Sequence, residues 1–244
     1  MERYSHEPSR RHVAGSAYEY RQSAMSTGNR QVSEWPRTGR QTGRQSAAPA
    51  GAAAIMLAAG RARRYGRDKR LETVGAMPMF LHAALQLQRI ADTLVVLRPG
   101  DEQQARLLAE HGVDSVYCPQ AELGMGHSLA CGIAQRRGAA GWFIMPADMP
   151  FIRPATLDAL ARAAAEHELA APVYQGRRGH PVWFARRYLP QLLVLAGDQG
   201  ARAILEAEAP RLVAVDDPGC VWDVDQPEDL ERMLRKGGTP GRRD

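Results

Sequence analysis

The 244-residue chain is long enough for one domain with tails, or for at most two small domains. Its formal net charge of +5 lies in its two ends, since residues 1–50 and 235–244 carry the excess of basic side chains and the remainder is slightly acidic. This distribution argues against a basic nucleic-acid-binding face on the folded body, and we expect no specific nucleic-acid partner.

Cysteine spacing and the lengths of the apolar runs indicate the compartment. Cys118, Cys131 and Cys220 form neither a C-x-x-C pair nor a zinc-ligand spacing with histidine, which favours buried thiols in a reducing environment. No apolar run in the sequence reaches the length that a membrane-spanning helix requires. We therefore expect a cytoplasmic protein with no membrane partner.

The N-terminal segment differs in composition from the rest of the chain. Residues 1–50 contain no Leu, Ile or Phe and are rich in Ser, Gly, Gln and Arg, so they cannot bury enough apolar surface to offset their ordering entropy. The predicted organisation is a disordered tail over residues 1–50, one domain over 51–236 and a flexible C-terminal tail over 237–244.

Strand and helix patterns alternate along the predicted domain. The predicted strands are Ala53–Leu57, Thr93–Leu97, Val113–Cys118, Trp142–Met145, Leu169–Tyr174, Pro181–Ala185, Leu212–Val215 and Val221–Val224. The predicted helices are Pro78–Ile90, Glu102–His111, His127–Arg137, Pro154–His167, Arg186–Leu195, Gly200–Ala207 and Gln226–Leu234. This order predicts a mostly parallel sheet with helices on both faces, and such sheets bind ligands beyond the carboxyl ends of their strands.

A cationic, glycine-bearing loop follows the first predicted strand. Gly60 and Gly66 let the backbone turn its N–H groups inward, and the arginines and Lys69 offset negative charge, so the loop suits a polyphosphate. The spacing matches neither the P-loop, G-x-x-x-x-G-K-[ST], nor the dinucleotide fingerprint, G-x-G-x-x-G.

Acidic residues follow two later strands. Asp148 lies in P-A-D-M-P at 146–150, at the carboxyl terminus of the strand Trp142–Met145. Asp223 and Asp225 alternate at the end of Val221–Val224, so a regular strand would direct only one of that pair to a ligand. Carboxylates that meet a triphosphate favour Mg²⁺, which takes one or two protein carboxylates plus phosphate oxygens. These residues predict a magnesium-dependent nucleoside triphosphate site.

The same stretches resemble a known family. L-A-A-G-R-A-R-R-Y-G-R-D-K at 57–69 resembles the signature L-A-(A/G)-G-x-(S/A)-x-R-(M/F)-G-x-x-K of the MobA-like nucleotidyltransferases that load molybdenum cofactor. Further similar blocks are G-M-G-H-S-L-A-C-G-I at 124–133, P-A-D-M-P-F-I at 146–152, R-G-H-P-V-W-F at 178–184, G-D-Q-G-A-R at 197–202 and D-V-D-Q-P-E-D-L at 223–230. The resemblance covers about residues 53–236 and is greatest to the molybdenum cofactor cytidylyltransferases.

The resemblance implies a fold and a set of site residues. The fold is the three-layer α/β/α, Rossmann-like nucleotidyltransferase fold shared with nucleotide-diphospho-sugar transferases. The implied nucleotide-binding residues are Leu57, Ala58, Ala59, Gly60, Arg64, Gly66, Lys69, Gly124, Met125, Gly126 and Ser128. Lys69, Arg64 and Asp148 are the implied catalytic residues, with Asp148 and Asp225 as metal ligands and Asp223 as the rival of Asp225. The implied acceptor-binding residues are Gly179, His180, Pro181 and Asp198.

The activity implied is transfer of CMP from CTP to molybdopterin cofactor with release of pyrophosphate, supported by Mg²⁺, and a recipient molybdoenzyme is a possible partner. Ala59 favours CTP, since cytidylyl members tend to carry L-A-A-G and guanylyl members L-A-G-G. The chain departs from the family pattern at Ala62, where Ser is common, so one hydroxyl contact to phosphate is missing. Three alternatives remain open: use of GTP, another small phosphate acceptor, and binding of nucleotide or cofactor without turnover. The carboxylates of Asp148, Asp225 and Asp198 could instead cap helices.

Overall fold

The structure, a computed structural model, describes residues 47–60 and 68–235. Most of the predicted N-terminal tail and the whole predicted C-terminal tail lie outside this range, as do two of the predicted nucleotide-binding residues, Arg64 and Gly66. Four residues assigned to the N-terminal tail, 47–50, are described, and Ala48 packs against the hydrophobic core.

Ten strands and seven α-helices follow one another in the described residues. The strands are β1 (Ala53–Leu57), β2 (Thr73–Val74), β3 (Met77–Pro78), β4 (Asp92–Leu97), β5 (Asp114–Tyr117), β6 (Gly141–Pro146), β7 (Leu169–Tyr174), β8 (Arg177–Arg178), β9 (Val182–Ala185) and β10 (Arg211–Ala214). The helices are α1 (Met79–Leu87), α2 (Glu102–Glu110), α3 (Met125–Gln135), α4 (Pro154–Glu166), α5 (Leu189–Leu193), α6 (Arg202–Ala207) and α7 (Pro227–Arg235). No helix among them is long and apolar enough to cross a lipid bilayer.

One mixed sheet forms the middle layer, in the order β10-β7-β9-β6-β1-β4-β5. β1 lies between β6 and β4 and is parallel to both, and β4 is parallel to β5. β9 inserts antiparallel between β6 and β7, and β8 pairs antiparallel with β7. The prediction of a mostly parallel sheet is therefore confirmed.

The alternation of β1 side chains explains why its whole sequence is apolar. Ala54 and Met56 are buried in a cluster with residues of α1, α2 and α4, whereas Ala53 and Ile55 are buried in a second cluster with residues of α3, α5 and α6. Because successive strand side chains point to opposite faces, a strand covered by helices on both sides must be apolar throughout. The three-layer prediction is confirmed by these two clusters.

The prediction of a last strand over Val221–Val224 is wrong. Pro218–Val221 forms a 3-10 helix, which Asp217 caps by accepting a hydrogen bond from the N–H of Gly219. Val224 then donates its N–H to the carbonyl of Asp148, 3.0 Å away, and its side chain is buried in a third small core beneath α7. The apolar residues of this segment are buried by packing rather than by a place in the sheet, a distinction that hydrophobicity cannot make.

Other boundaries also differ from the prediction. Pro78 belongs to β3 and precedes α1 instead of starting it, and the predicted helix Arg186–Leu195 is a 3-10 turn, Arg186–Tyr188, followed by the short α5. The two-residue strands β2, β3 and β8 were not predicted, because pairs this short have no detectable period.

Candidate functional site

The carboxyl ends of β1 and β6 lie side by side and begin the two loops that carry the predicted site. Leu57 stands opposite Pro146 in the parallel register, and the N–H of Ala147 donates to the carbonyl of Leu57 at 3.0 Å. The chain therefore leaves β1 toward Gly60 and leaves β6 toward Asp148 from adjacent points. This is the crevice position at which parallel α/β sheets bind ligands.

Lys69 joins the two predicted metal ligands. Its Nζ lies 2.8 Å from Oδ2 of Asp148, 3.1 Å from Oδ1 of Asp225 and 2.7 Å from the carbonyl oxygen of Val224. The hydrogen bond from the N–H of Val224 to the carbonyl of Asp148 holds the two acidic loops together. Three residues far apart in the sequence thus form one charged cluster.

The environment of Lys69 keeps its side chain charged. Burial by itself would lower the pKa of Lys69, but the charges of Asp148 and Asp225 and the hydrogen bonds to them raise it above its ordinary value. The ammonium is therefore positively charged over the whole physiological range.

Asp148 has one oxygen available for a further ligand. Its Oδ2 contacts Lys69, but its Oδ1 is buried and has no hydrogen-bond partner among the described residues. A buried, unpaired carboxylate oxygen is costly unless something binds it. With Asp225 beside it, the donor set fits a hard divalent cation that takes its remaining ligands from phosphate and water, although the described residues form no cluster of three or more metal-binding side chains.

Asp225 and its rival, Asp223, have different surroundings. Asp225 contacts Lys69, and its backbone N–H donates to Oδ2 of Asp229, so Asp229 rather than Asp225 caps the start of α7. Asp223 also lines the cavity, of about 370 Å³, that opens beside Asp225. Since this segment is not a strand, the expectation that only one of the two carboxylates can face the ligand does not apply.

Two of the predicted nucleotide-binding residues, Gly124 and Gly126, lie at the start of α3 and are packed tightly against the segment that carries Asp198. A Cβ on Gly124 would lie 2.3 Å from the backbone of Gly197 and 2.6 Å from Oδ1 of Asp198, and one on Gly126 would lie 2.6 Å from the carbonyl oxygen of Ala196. Both glycines are therefore required by the close approach of two backbones. This is a structural reason for the G-x-G pattern, separate from any contact with a nucleotide.

Comparison with known proteins identifies the family of the chain. Residues 54–213, more than half of the chain, match the family model of the MobA-like NTP transferase domain. The chain belongs to the MobA-like NTP transferase family. It is a nucleotidyltransferase, and the resemblance seen in the sequence is confirmed.

Several named relatives are similar over most of their length. The purine catabolism protein PucB of Bacillus subtilis (strain 168) is 30% identical over 74% of this chain and 95% of its own length. A probable molybdenum cofactor guanylyltransferase of Nostoc sp. is 28% identical over 72% of this chain and 87% of its own. A molybdenum cofactor guanylyltransferase of Pseudomonas entomophila is 32% identical over 57% of this chain and 72% of its own.

Solved structures share the fold. Rv0371c of Mycobacterium tuberculosis H37Rv superposes with a TM-score of 0.62 at 28% identity, over 75% of this chain and 97% of that one. A structure described as Rv0371c in complex with manganese gives the same TM-score at 26% identity, over 76% and 98% of the two chains. The Rossmann-like nucleotidyltransferase fold expected from the sequence is confirmed.

Within this MobA-like domain, the predicted acceptor residues lie against different elements. Gly179 and His180 pack on Cys220, where the N–H of His180 donates to the Cys220 carbonyl at 2.8 Å, and Pro181 follows a cis peptide bond. Asp198 lies instead beside Gly124. Burial lowers the pKa of the half-buried His180, whose Nδ1 has no partner in the described ranges, 47–60 and 68–235.

The remaining predicted nucleotide-binding residues differ in exposure. Ala58, Ala59 and Ser128 are buried, whereas Gly60 and Met125 are exposed. The positions of Arg64 and Gly66 lie outside the described residues.

Sequence reasoning missed a charged network next to Lys69. Asp68 and Arg70, the two neighbours of Lys69, bond with each other and, through Arg70, with Asp101. The signal was present, because D-K-R places three charges in a row and a carboxylate precedes α2, but nothing in the sequence shows that Arg70 is buried.

Proposed function

We propose that this MobA-like transferase moves CMP from CTP to the terminal phosphate of a molybdopterin-type acceptor and releases pyrophosphate. The observation that carries the proposal is the contact of Lys69 with both Asp148 and Asp225, beyond the carboxyl ends of β1 and β6. It combines a fixed cation for phosphate oxygens with two carboxylates for a divalent metal. The acceptor class comes from the names of the molybdenum cofactor relatives.

The choice of CTP depends on the residues that follow β1. Ala58, Ala59 and Gly60 form the A-A-G pattern that is typical of cytidylyl members, and the Ala59 side chain is buried, with 4% of its surface exposed. Because the Ala59 methyl group packs in the core cluster with Ala53 and Ile55, it would act on base choice by fixing the backbone of residues 58–60 beside the base. The guanylyltransferase names of two relatives support GTP as the second candidate.

The reaction needs little covalent chemistry from the protein. An oxygen of the acceptor phosphate attacks the α-phosphorus of CTP, a new phosphorus–oxygen bond forms, and the bond from the α-phosphorus to the bridging oxygen breaks. Pyrophosphate leaves with the electron pair of that bond. Because the attacking phosphate is already anionic, no general base is required, and positioning and charge stabilisation supply the rate enhancement.

The residues of the cluster divide this work. Lys69 holds positive charge toward the phosphates, and Asp148 and Asp225 would hold Mg²⁺, the unpaired Oδ1 of Asp148 supplying one ligand. A metal ion held by these carboxylates would supply positive charge that offsets the charge on the phosphate oxygens. Arg64 completes the cationic loop in this proposal.

The cavity beside Asp225 suits the acceptor. Its volume of about 370 Å³ is within the range of small-molecule sites, and its lining combines the guanidinium groups of Arg177 and Arg232 with carboxylates and Trp222. A molecule held there has one end next to the Lys69 cluster, where the α-phosphorus of CTP is attacked. Arg177 and Arg232 would offset the charge of an anionic acceptor, and Asp223 would accept hydrogen bonds from an amino-substituted ring.

A thermal-shift series tests the nucleotide assignment. The protein is heated with CTP, GTP, ATP or UTP, each with and without Mg²⁺, and the unfolding temperature is measured. We expect the largest increase with CTP and Mg²⁺, and pyrophosphate release when molybdopterin is added. Greater stabilisation by GTP would replace the cytidylyl proposal by the guanylyl one, and stabilisation without turnover would favour a binding protein.

A further inference from the structure

Arg70 is a buried arginine whose hydrogen bonds tie together two parts of the proposed nucleotide site. Only 4% of its surface is exposed. Its Nε and Nη2 donate to Oδ1 and Oδ2 of Asp68 at 2.8 and 2.6 Å, and its Nη1 and Nη2 donate to Oδ2 and Oδ1 of Asp101 at 2.6 and 2.7 Å. Arg70 thus binds both carboxylates in bidentate fashion, with two hydrogen bonds to each, a geometry that a guanidinium provides and an ammonium does not.

The same guanidinium contacts the end of β1. Nη1 of Arg70 donates to the carbonyl of Ala58 at 2.6 Å, within the segment proposed to contact the base. A second arginine, Arg98, donates to the carbonyl of Gly60 at 3.1 Å and pairs with Asp101 at 3.3 Å. Two arginines that share the carboxylate of Asp101 therefore donate hydrogen bonds to the backbone carbonyls of the proposed base-binding segment.

The network is also anchored to α2. Gln104 donates to Oδ2 of Asp68 at 2.9 Å, and Asp101 immediately precedes the helix. Burial by itself would raise the pKa of Asp68, but the hydrogen bonds and charge of Arg70 and the charge of Arg98 hold that pKa below its usual value. Asp68 therefore remains a carboxylate under working conditions, and the network remains charged.

A buried ion cluster of this kind is a weak source of stability, because desolvation cancels much of the Coulomb attraction. Its geometry, by contrast, is restrictive, since each guanidinium nitrogen has a defined acceptor. Lys69 lies between Asp68 and Arg70 in the chain, so the position of its ammonium depends on both neighbours. Arg70 consequently links the carbonyl of Ala58 to the backbone that carries Lys69.

We propose that Arg70 is a positioning residue for nucleotide binding, which sets the placement of Lys69 relative to the backbone of Leu57–Gly60. The inference rests on the proposed function, because it assumes that Leu57–Gly60 and Lys69 both contact the nucleotide. Arg70 itself touches neither nucleotide nor acceptor in this proposal. Its effect reaches the substrate through the two segments that it holds.

The chain offers a matched control at another arginine. Arg136 pairs with Asp92 at 3.4 Å and with Asp114 at 2.5 Å. These aspartates are the first residues of β4 and β5, so Arg136 lies at the amino ends of the parallel strands, whereas the proposed site lies beyond their carboxyl ends. It is an arginine bridging two aspartates, as Arg70 is, and the partners of its guanidinium among the described residues are these two carboxylates and not the carbonyls that follow β1. Replacing Arg136 tests the loss of such a bridge without disturbing the proposed nucleotide site.

The experiment compares Arg70→Lys with Arg136→Lys in the full-length protein. The dissociation constant of the nucleotide that most stabilises the wild type is measured by calorimetry with Mg²⁺, and the unfolding midpoint in urea is measured for each variant. Lysine keeps the positive charge but cannot make the bidentate hydrogen bonds of a guanidinium. We expect Arg70→Lys to weaken nucleotide binding by about 10- to 100-fold and Arg136→Lys to leave it within about twofold.

A second variant covers the case in which Arg70→Lys does not fold. Asp68→Asn keeps an acceptor for Arg70 at a position with 24% side-chain exposure, and we expect a smaller loss of nucleotide affinity in the same direction. If Arg70→Lys folds and binds the nucleotide with wild-type affinity, the inference is overturned. If Arg70→Lys does not fold, wild-type nucleotide affinity in Asp68→Asn overturns it. Nucleotide binding without turnover in the wild type would overturn the proposed function but not the role of Arg70, whereas no nucleotide binding would overturn both.

Discussion

The Nζ of Lys69 lies 2.8 Å from Oδ2 of Asp148, although the two residues are 79 positions apart in the sequence. Lys69 follows the loop after β1, and Asp148 follows β6. The parallel pairing of those two strands brings the loops together. The contact places at one point of the crevice a cation and a carboxylate whose second oxygen has no hydrogen-bond partner within residues 47–60 and 68–235.

Asp148→Asn is expected to lower the rate of pyrophosphate release by at least about 100-fold, because an amide is a poor ligand for a divalent cation. The measurement is turnover with CTP, acceptor and a titration of Mg²⁺. Asp216→Asn, at an exposed position, serves as the control. Turnover of Asp148→Asn at the wild-type rate and the same Mg²⁺ dependence would show that Asp148 holds no metal.

Lys69→Met is expected to lower the free energy of unfolding by about 1–3 kcal/mol without metal, since Asp148 and Asp225 both lose their cationic partner. Mg²⁺ or Mn²⁺ should then raise the unfolding temperature of this variant more than that of the wild type, because a metal ion replaces the missing charge. Arg202→Gln, which removes an exposed pair with Glu206, is the control. If the metal ion raises the unfolding temperature of the wild type and of Lys69→Met equally, Lys69 and the metal ion do not share the carboxylates of Asp148 and Asp225.

Gly126→Ala is expected to destabilise the protein by about 1–3 kcal/mol, because the new methyl group would lie 2.6 Å from the carbonyl oxygen of Ala196. Helix propensity alone would predict a gain. The control is Gly138→Ala, where no described residue other than the two chain neighbours lies within 4 Å of the added Cβ. Urea unfolding of both variants checks the prediction, and a stable Gly126→Ala would show that the 196–198 segment moves away at little cost.

His180 is expected to make stability depend on pH below its unfolded pKa of about 6.5. Burial lowers the pKa of His180 in the folded protein, so the unfolded chain takes up a proton first as the pH falls. The stability from the neutral ring is therefore present above about pH 6.5 and decreases by up to about 1.4 kcal/mol per pH unit below it, until the folded pKa is reached. Urea unfolding of wild type and His180→Gln between pH 7.5 and 5.5 should show a smaller loss for the variant. Equal slopes would mean that His180 is protonated in the folded state as well.

Ala59→Gly is expected to lower the preference for CTP over GTP by about tenfold, because loss of the methyl group that packs in the core lets the backbone of residues 58–60 shift beside the base. The measurement is kcat/KM for both nucleotides with the same acceptor. Ala139→Gly, also a buried alanine, controls for the added backbone freedom of glycine. An unchanged ratio would remove Ala59 from the base-selecting residues.

Particular elements show how far the sequence could predict the fold. The strand β7 was predicted with its observed limits, and the apolar run of β1 was predicted because burial on both faces leaves a continuous signal. Val221–Val224 has the same apolar character but packs in a small core under α7. Periodicity reports that a residue is buried, and it does not report which partner buries it.

The amino-acid sequence alone identifies the family, the fold class and the charged residues, because motif spacing and strand–helix alternation are local properties. Tertiary structure decided which charges act together: Lys69 with Asp148 and Asp225, and Arg70 with Asp68, Asp101 and the carbonyl of Ala58. It also showed that two glycines, Gly124 and Gly126, serve a close backbone approach. These relationships depend on distances between segments far apart in the chain, and only the parallel register of the sheet and the burial of Arg70 set those distances.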